Sequence, residues 1–365
     1  MVRSDFSCFL PTDCLIIAKV RIRLQDTIDS SDDSQLDRIR QDIGSVLRRV
    51  AGQKVRVEEV APFGSGHSGF TYSVETGSES LVLRLSPPAA RIAGPADIGR
   101  QGRIMSALHA AGFVVPRVLA FSSEPAIDGR SFVLMERVDG LEWPEAVAEH
   151  GGATVARAAA EALAALQAIP VPATGIGSES PIEPIAEIDR WSQLLERAPE
   201  DEHGPGRALS RHLRARTMRA CQPTLVHGDY HYANLLFAEG AVVAVVDWEI
   251  AEIGQPLMDV ASLTVTALRA RYAPDPNPSG NLGISPGEIA AFAAATEDEI
   301  NWYTALGCLK YAAILGYNLH LHRAGRRVDP IYESLLNTIH GLLVDGMQIL
   351  EDGFQSVPLP EELRV

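Results

Sequence analysis

The chain changes from mainly strand-like to mainly helical apolar spacing near residues 138–140, and that change constrains the fold more than any other feature. Upstream, "VRVEEVAPF", "FTYSVET", "SLVLRLS", "VPRVLAF" and "SFVLMERV" alternate with period two and read as strands. One helix, at about 96–111, falls between the third strand and the fourth. Downstream, "TVARAAAEALAALQAI" (154–169) has the three-to-four spacing of an amphipathic helix, and the chain from Pro256 to about Leu350 is mostly helical. A small antiparallel sheet carrying one helix, then a larger helical body with short strands, is an α+β arrangement in two lobes. The 365 residues, 46% of them apolar, suffice for a sizeable core. The expected boundaries are an N-lobe at 36–136 and a C-lobe at 137–355.

Ahead of the N-lobe, residues 1–35 end in the acidic, Ser-rich "DTIDSSDDSQLD" and read as a flexible extension. "QLDRIRQDIGSVLRRVAG" then predicts a helix with Leu36, Ile39, Ile43, Val46, Leu47 and Val50 on one face and Gly52 as its stop. Thirty-two basic residues against forty-seven acidic ones leave a net charge of −15, a field that repels nucleic acid and anionic membranes. No nucleic-acid or membrane partner is expected. The four cysteines lack metal-ligand spacing, and Asp13 and Lys19 interrupt the N-terminal apolar run, with no small-residue cleavage site after it. A cytoplasmic protein is the expectation; oligomeric state is not legible.

"GSGHSGFTY" (64–72) places Gly64, Gly66 and Gly69 in the pattern G-x-G-x-x-G. Glycines let the backbone approach an anionic oxygen closely. In a dinucleotide fold such glycines open a helix, whereas here "FTYSV" continues as a strand. Two readings stay open: a phosphate lid of the kinase kind and a plain hairpin turn.

"LVHGDYHYANLLF" (225–237) concentrates His227, Asp229, His231 and Asn234 between apolar runs, and Asp247 ends the next run. As phosphoryl-transfer chemistry, Asp229 offers a carboxylate to orient and deprotonate an acceptor hydroxyl. The Asn234 amide oxygen and the Asp247 carboxylate suit a hard cation such as Mg²⁺. His227 and Tyr230 read as loop-holding residues, and His231 is open to contact with the acceptor. A metal-hydrolase reading takes His227, Asp229 and His231 as ligands on one extended edge, but it leaves Asn234 and Asp247 unexplained. A polar turn without function would not account for the Gly-rich loop upstream.

Together with "AVVDWEIAEIGQPLMDVA", this stretch resembles the aminoglycoside phosphotransferase/choline kinase-like family, which has the protein-kinase-like fold. Trp248–Glu249 and the "GQPLMDVA" tail are most similar to the kinase domains associated with acyl-CoA dehydrogenases. The resemblance spans about residues 36–350. It implies Asp229 as catalytic base, Asn234 and Asp247 as Mg²⁺ ligands, and Asp259 as a brace for the catalytic loop. It implies a nucleotide site made of Gly64, Ser65, Gly66, His67 and Gly69 over the phosphates, Arg84 against them, and Met135, Glu136 and Arg137 at the adenine.

Two positions depart from the family pattern. Arg84 stands where the strand cation is usually Lys, and Gln101 stands where a helix Glu usually pairs with that cation, with Asp97 one turn earlier as a substitute acid. The expected function is Mg²⁺-dependent transfer of the γ-phosphate of ATP, or GTP, to a hydroxyl of a small molecule. A nucleotide-binding, non-catalytic kinase-like protein is the alternative. For the acceptor, Glu297, Asp298 and Glu299 would suit a cationic aminoglycoside-like compound, or form a solvated helix face. The apolar and aromatic run 302–322 would suit a hydroxyacyl compound, or form core.

Overall fold

The computed structural model describes residues 33–52, 55–63, 70–88, 97–269, 272, 293, 295–326 and 328–357. Most of the expected extension and the whole Gly64–Gly69 segment lie outside them. Among the described residues the chain falls into two compact units. One holds the chain up to Asp139 together with Pro172–Ile176 and Ala244–Ile250; the other holds Gly140–Val171, Gly177–Val243 and the chain from Ala251.

The first unit is built on a five-stranded antiparallel sheet of order β1-β2-β3-β5-β4. Its strands are β1 (Val57–Pro62), β2 (Thr71–Thr76), β3 (Ser80–Leu85), β4 (Val118–Ile127) and β5 (Arg130–Glu136). Alternation puts Tyr72, Val74, Leu81, Leu83 and Leu85 into one core cluster, where Ile39, Ile43, Val46 and Leu47 of α1 (Asp33–Ala51) join them. The helix begins at Asp33, two residues before the expected start, and Val50 is 53% exposed rather than part of the apolar face. Arg84, between Leu83 and Leu85, points by the same alternation away from the face that α1 covers. The β4–β5 hairpin closes through Asp128 and Gly129, both at positive φ (49° and 67°), the signature of a type I′ turn. Gln35 and Arg38 of α1 donate to the Asp128 carboxylate and tie the helix to this turn.

Helix α2 (Ile98–Ala110) packs on β4 and β5, and its two interior glycines explain how it comes so close. A Cβ on Gly99 would stand 2.6 Å from the backbone nitrogen of Ser123, and one on Gly102 would stand 2.5 Å from the Phe121 side chain. Backbone cannot yield as a side-chain tip can. Gly99→Ala is therefore expected to lower stability by about 1–3 kcal/mol despite the better helix propensity of Ala, read as an earlier urea midpoint at unchanged m-value.

The second unit is helical: α3 (Trp143–His150), α4 (Gly152–Gln167), α5 (Pro184–Leu195), α6 (His203–Ala215), α7 (Leu257–Arg269), α8 (Glu297–Arg323), the short α9 (Ile331–Ser334) and α10 (Leu336–Asp352). Helices α5, α6, α7 and α10 all pack on α8, in which every residue from Trp302 to Gly316 is buried. A helix apolar all round is a core element, so the 302–322 run forms the centre of this unit. Its acidic start is equally structural. Thr296 and Glu299 form a capping box, and Glu297 and Asp298 lie in the first turn, where negative charge meets the positive end of the helix dipole. Short strands interrupt the helices: β6 (Thr224–Val226) pairs with β9 (Glu252–Gly254), and β7 (Leu235–Ala238) with β8 (Ala241–Val245). No helix among the described residues is long and apolar enough to cross a membrane.

Candidate active site

In the second unit the stretch 227–234 leaves β6, turns at Gly228 (φ 83°) and ends in a 3-10 turn, Tyr232–Asn234, before β7. The turn is anchored at its backbone. Asp259, fully buried in the first turn of α7, accepts from the amides of His227 (2.7 Å) and Gly228 (2.9 Å). The Gly228 carbonyl accepts from the ammonium of Lys310 in α8. Tyr230 donates its hydroxyl to Ala159, and His227 Nδ1 accepts from the amide of Asp229. His227 and Tyr230 thus hold the loop. Burial pushes the Asp259 carboxyl up to about 7 against the two amides and Lys310, which favour its charged form.

Asp229 itself is 3% exposed. Tyr311 of α8 donates to its Oδ1 at 2.9 Å, and Asn234 Nδ2 donates to its Oδ2 at 3.2 Å and to its carbonyl at 3.0 Å. His231 Nε2 lies 3.1 Å from the same Oδ2, and this ring is buried on Asp229 rather than exposed. Burial alone would raise the Asp229 carboxyl. The charge and hydrogen bond of His231, with Lys310 and His227 behind it, outweigh that and hold it below the usual carboxylate range. Asn234 commits its nitrogen to Asp229, which leaves its amide oxygen as the atom to meet a cation. Sequence reasoning placed Asp229 and Asn234 on this turn but missed Lys310 and Tyr311. The available signal was the lysine in "LGCLKYAAIL", an ammonium inside an otherwise apolar helix.

Beneath the turn, β9 brings Glu252 opposite Val226, and Arg190 of α5 bridges Glu252 (2.7 Å) and Glu187 (2.7 Å). Glu187 also accepts from the Trp191 indole at 2.6 Å. Burial, with Arg190 opposing it and Glu252 adding to it, pushes the Glu187 carboxyl up to about 7 from 4.5. Between those two values the native state keeps a proton that the unfolded chain has lost, so stability falls as pH rises through the window. The melting temperature is expected to drop from pH 5 to pH 7.5, and Glu187→Gln, uncharged throughout, to flatten that slope in a calorimetric pH series.

The first unit carries the other expected residues. Arg84 on β3 makes ion pairs with Asp247 (2.8 Å) and Glu249 (2.6 Å), both in the segment after β8. Burial opposes the charge of the guanidinium, and the two carboxylates more than restore it. Asp247 holds φ at 68°, uncommon for a non-glycine residue. The segment is pinned beside it: Trp248 is buried, donates to the Val245 carbonyl and packs edge-on against Phe113, and Val245 donates to Val114.

This corrects the expected partners of Arg84. Its acid is Glu249, two residues beyond Asp247, and not a residue of α2. Asp97 is the N-cap of α2, accepting from the Gly99 amide and the Ser123 hydroxyl, and it pairs with Arg103. Gln101 is buried within the same helix.

Met135 and Glu136 close β5, in register with Val82 and Leu81 of β3, and Arg137 follows the strand. The amides of Glu136 and Arg137 are already committed to the carbonyls of Arg117 and Ser80. Phe63 bonds Thr71 across the mouth of the antiparallel strands β1 and β2, and Gly64, Ser65, Gly66, His67 and Gly69, expected over the phosphates, lie outside the described residues. Among the described residues no three His, Cys, Asp or Glu side chains cluster to hold a metal. The metal-hydrolase reading loses its ligand set, because His227 and His231 are spent on Asp229 itself.

Comparison with known proteins agrees with this geometry. The model of the phosphotransferase enzyme family matches residues 59–298. Acyl-CoA dehydrogenase family member 11 is 26% identical in rat, over 82% of this chain and 41% of that protein, and 26% identical in human, over 83% and 41%. The chain therefore spans about 41% of the length of these curated relatives. A Ralstonia eutropha structure described as a candidate aminoglycoside phosphotransferase superposes with a TM-score of 0.64 at 21% identity, covering 84% of this chain and 98% of that one. Aminoglycoside phosphotransferase APH(4)-Ia with ADP and hygromycin B gives 0.57 at 17% (84% and 98% covered), and choline kinase LicA of Streptococcus pneumoniae gives 0.56 at 14% (84% and 98%). With its kinase-like two-lobed α+β fold, the chain belongs to the phosphotransferase enzyme family.

Proposed function

We propose that this protein transfers the γ-phosphate of ATP to a hydroxyl of a small acyl-bearing molecule. The observation that carries the proposal is the Asp229 carboxylate, buried and held by three donors on a turn whose backbone is itself anchored. A carboxylate so placed can accept the hydrogen bond of an acceptor hydroxyl and keep its oxygen pointed at the phosphorus for in-line attack. Asp229 takes the hydroxyl proton as the new P–O bond forms and the bond from the γ-phosphorus to the β–γ bridging oxygen breaks, with ADP as the leaving group. Arg84 would meet the donor phosphates as a fixed cation, and Glu249 would keep it in place were Asp247 to hold a metal.

The amide oxygen of Asn234 and the carboxylate of Asp247 are hard oxygen donors, too few for a closed protein cage. That suits Mg²⁺, which keeps waters and takes phosphate oxygens. Bound there, Mg²⁺ would neutralise charge building on the transferred group. The Gly64–Gly69 segment would cover the phosphates and Met135–Arg137 would border the nucleobase. The choice of an acyl-bearing acceptor rests on two supports. The relatives' names refer to acyl-CoA, and Glu299, one of the three acids that a cationic acceptor would need, is engaged in the capping box at the start of α8.

The test is Mg²⁺–ATP turnover against hydroxyacyl-CoAs, hygromycin B and choline, with phosphorylated products read by mass spectrometry. Phosphorylation of the hydroxyacyl compounds alone is expected. Products from hygromycin B or choline alone would overturn the acceptor class, and products from none, with no ADP released, would overturn ATP-dependent transfer. Asp247→Ala is expected to weaken Mg²⁺-dependent nucleotide binding about tenfold or more by calorimetry, the scale of a lost charged contact.

A further inference from the structure

Two successive residues of α8 reach the same turn. Lys310, 2% exposed, bonds the carbonyl of Gly228, and Tyr311, 1% exposed, bonds the carboxylate of Asp229. Packing explains neither choice. A buried ammonium is costly unless paired, and a methionine would fill the same volume in this core at no such cost. A phenylalanine would likewise fill the place of Tyr311, whose hydroxyl donates to Asp229. Lys310 lies 5.5 Å from the Trp191 ring and 5.6 Å from that of Tyr311, and the Arg269 guanidinium lies 5.8 Å from the Tyr311 ring. Its charge is felt by Asp229, Asp259, Glu187 and Glu252.

The donors to Asp229 divide in an informative way. His231 and Asn234 both meet Oδ2, and both belong to the turn that carries Asp229, so they move with it. Tyr311 meets Oδ1 from a buried helix. It is the contact that ties the carboxylate plane to the rigid core of the unit, while Lys310 ties the preceding peptide to the same helix. A reacting group is useful only when its supports are held by packing.

We propose that Lys310 and Tyr311 are positioning residues that clamp the catalytic turn to α8, Lys310 through the 228 carbonyl and Tyr311 through the Asp229 carboxylate. The inference rests on Asp229 being the catalytic group.

The experiment uses the full chain with Tyr311→Phe, Lys310→Met and Asp229→Ala, and Tyr311→Phe combined with Asp229→Ala. Two readouts are taken: ADP release from Mg²⁺–ATP, with water as the acceptor present in every reaction, and hydrogen exchange of peptides covering 225–237. Tyr311→Phe is expected to lower kcat about 10- to 100-fold, the scale of a hydrogen bond to a charged group, with KM for Mg²⁺–ATP within twofold. In the Asp229→Ala background it should cost nothing further, because the two residues act as one unit. Lys310→Met is expected to speed exchange about tenfold in 225–237 alone.

A Tyr311→Phe enzyme with kcat within twofold of the parent, beside a crippled Asp229→Ala, would overturn the clamp. So would losses that multiply in the double variant, or exchange that is unchanged or accelerated throughout the chain. An unaffected Asp229→Ala would instead overturn the assignment of Asp229. If the parent releases no ADP, the donor assignment fails, and the exchange of the 225–237 peptides decides the clamp without it.

Discussion

Replacing Asp229 by Ala is expected to lower phosphoryl transfer by about 10²–10⁴-fold, the usual worth of a positioned general base, while nucleotide binding survives. Binding survives because Arg84, assigned to the phosphates, and Asp247, assigned to the metal, form their own ion-pair set with Glu249 in the other unit. The loss should fall on kcat, since the acceptor hydroxyl is oriented only as the reaction proceeds. Asp229→Asn refines the result. It keeps the volume and one acceptor oxygen but removes the charge, so a variant as impaired as Ala assigns the effect to proton acceptance, and one much more active assigns it to orientation. Turnover within threefold of the parent in Asp229→Ala would remove this residue from the mechanism altogether.

The second large effect is on stability. Asp259→Ala is expected to cost about 3–5 kcal/mol, seen as a lower urea midpoint and a lower melting temperature. The carboxylate is fully buried and satisfies two buried amides, and its removal leaves both without an acceptor and takes a counter-charge from Lys310. Asp259→Asn keeps one oxygen but turns an NH₂ toward an N–H, so it should recover less than half of the loss. Since these amides set the course of the 227–234 turn, activity should fall with stability even where the variant remains folded. A variant that is fully stable, with native activity, would mean that water replaces the carboxylate and that the turn holds itself.

Much of the site was legible in the sequence because it is local. Asp229 and Asn234 lie five residues apart on one turn, close enough in sequence for their side chains to meet there. The period change near 138–140 is local in the same sense, and it marked the strands and helices of each unit before any packing was known. The β4–β5 hairpin was written as plainly in "AIDGRS", although the Asp–Gly signal there was not used.

What could not be read were contacts between distant positions. Arg84 finds its acid 165 residues away at Glu249, and the sequence pattern pointed instead to α2, where Asp97 is consumed as a helix cap. Tyr311 and Lys310 sit in an apolar run where only the lysine stands out, and nothing local says which turn it meets. Gly99 and Gly102 look like weaknesses in a helix until β4 is laid against it. The sequence by itself determined the local frame that displays Asp229 and Asn234 on one turn. Only the tertiary structure decided which charge neutralises which, because ion pairs and close approaches depend on where the chain returns, and local propensity holds no information about that.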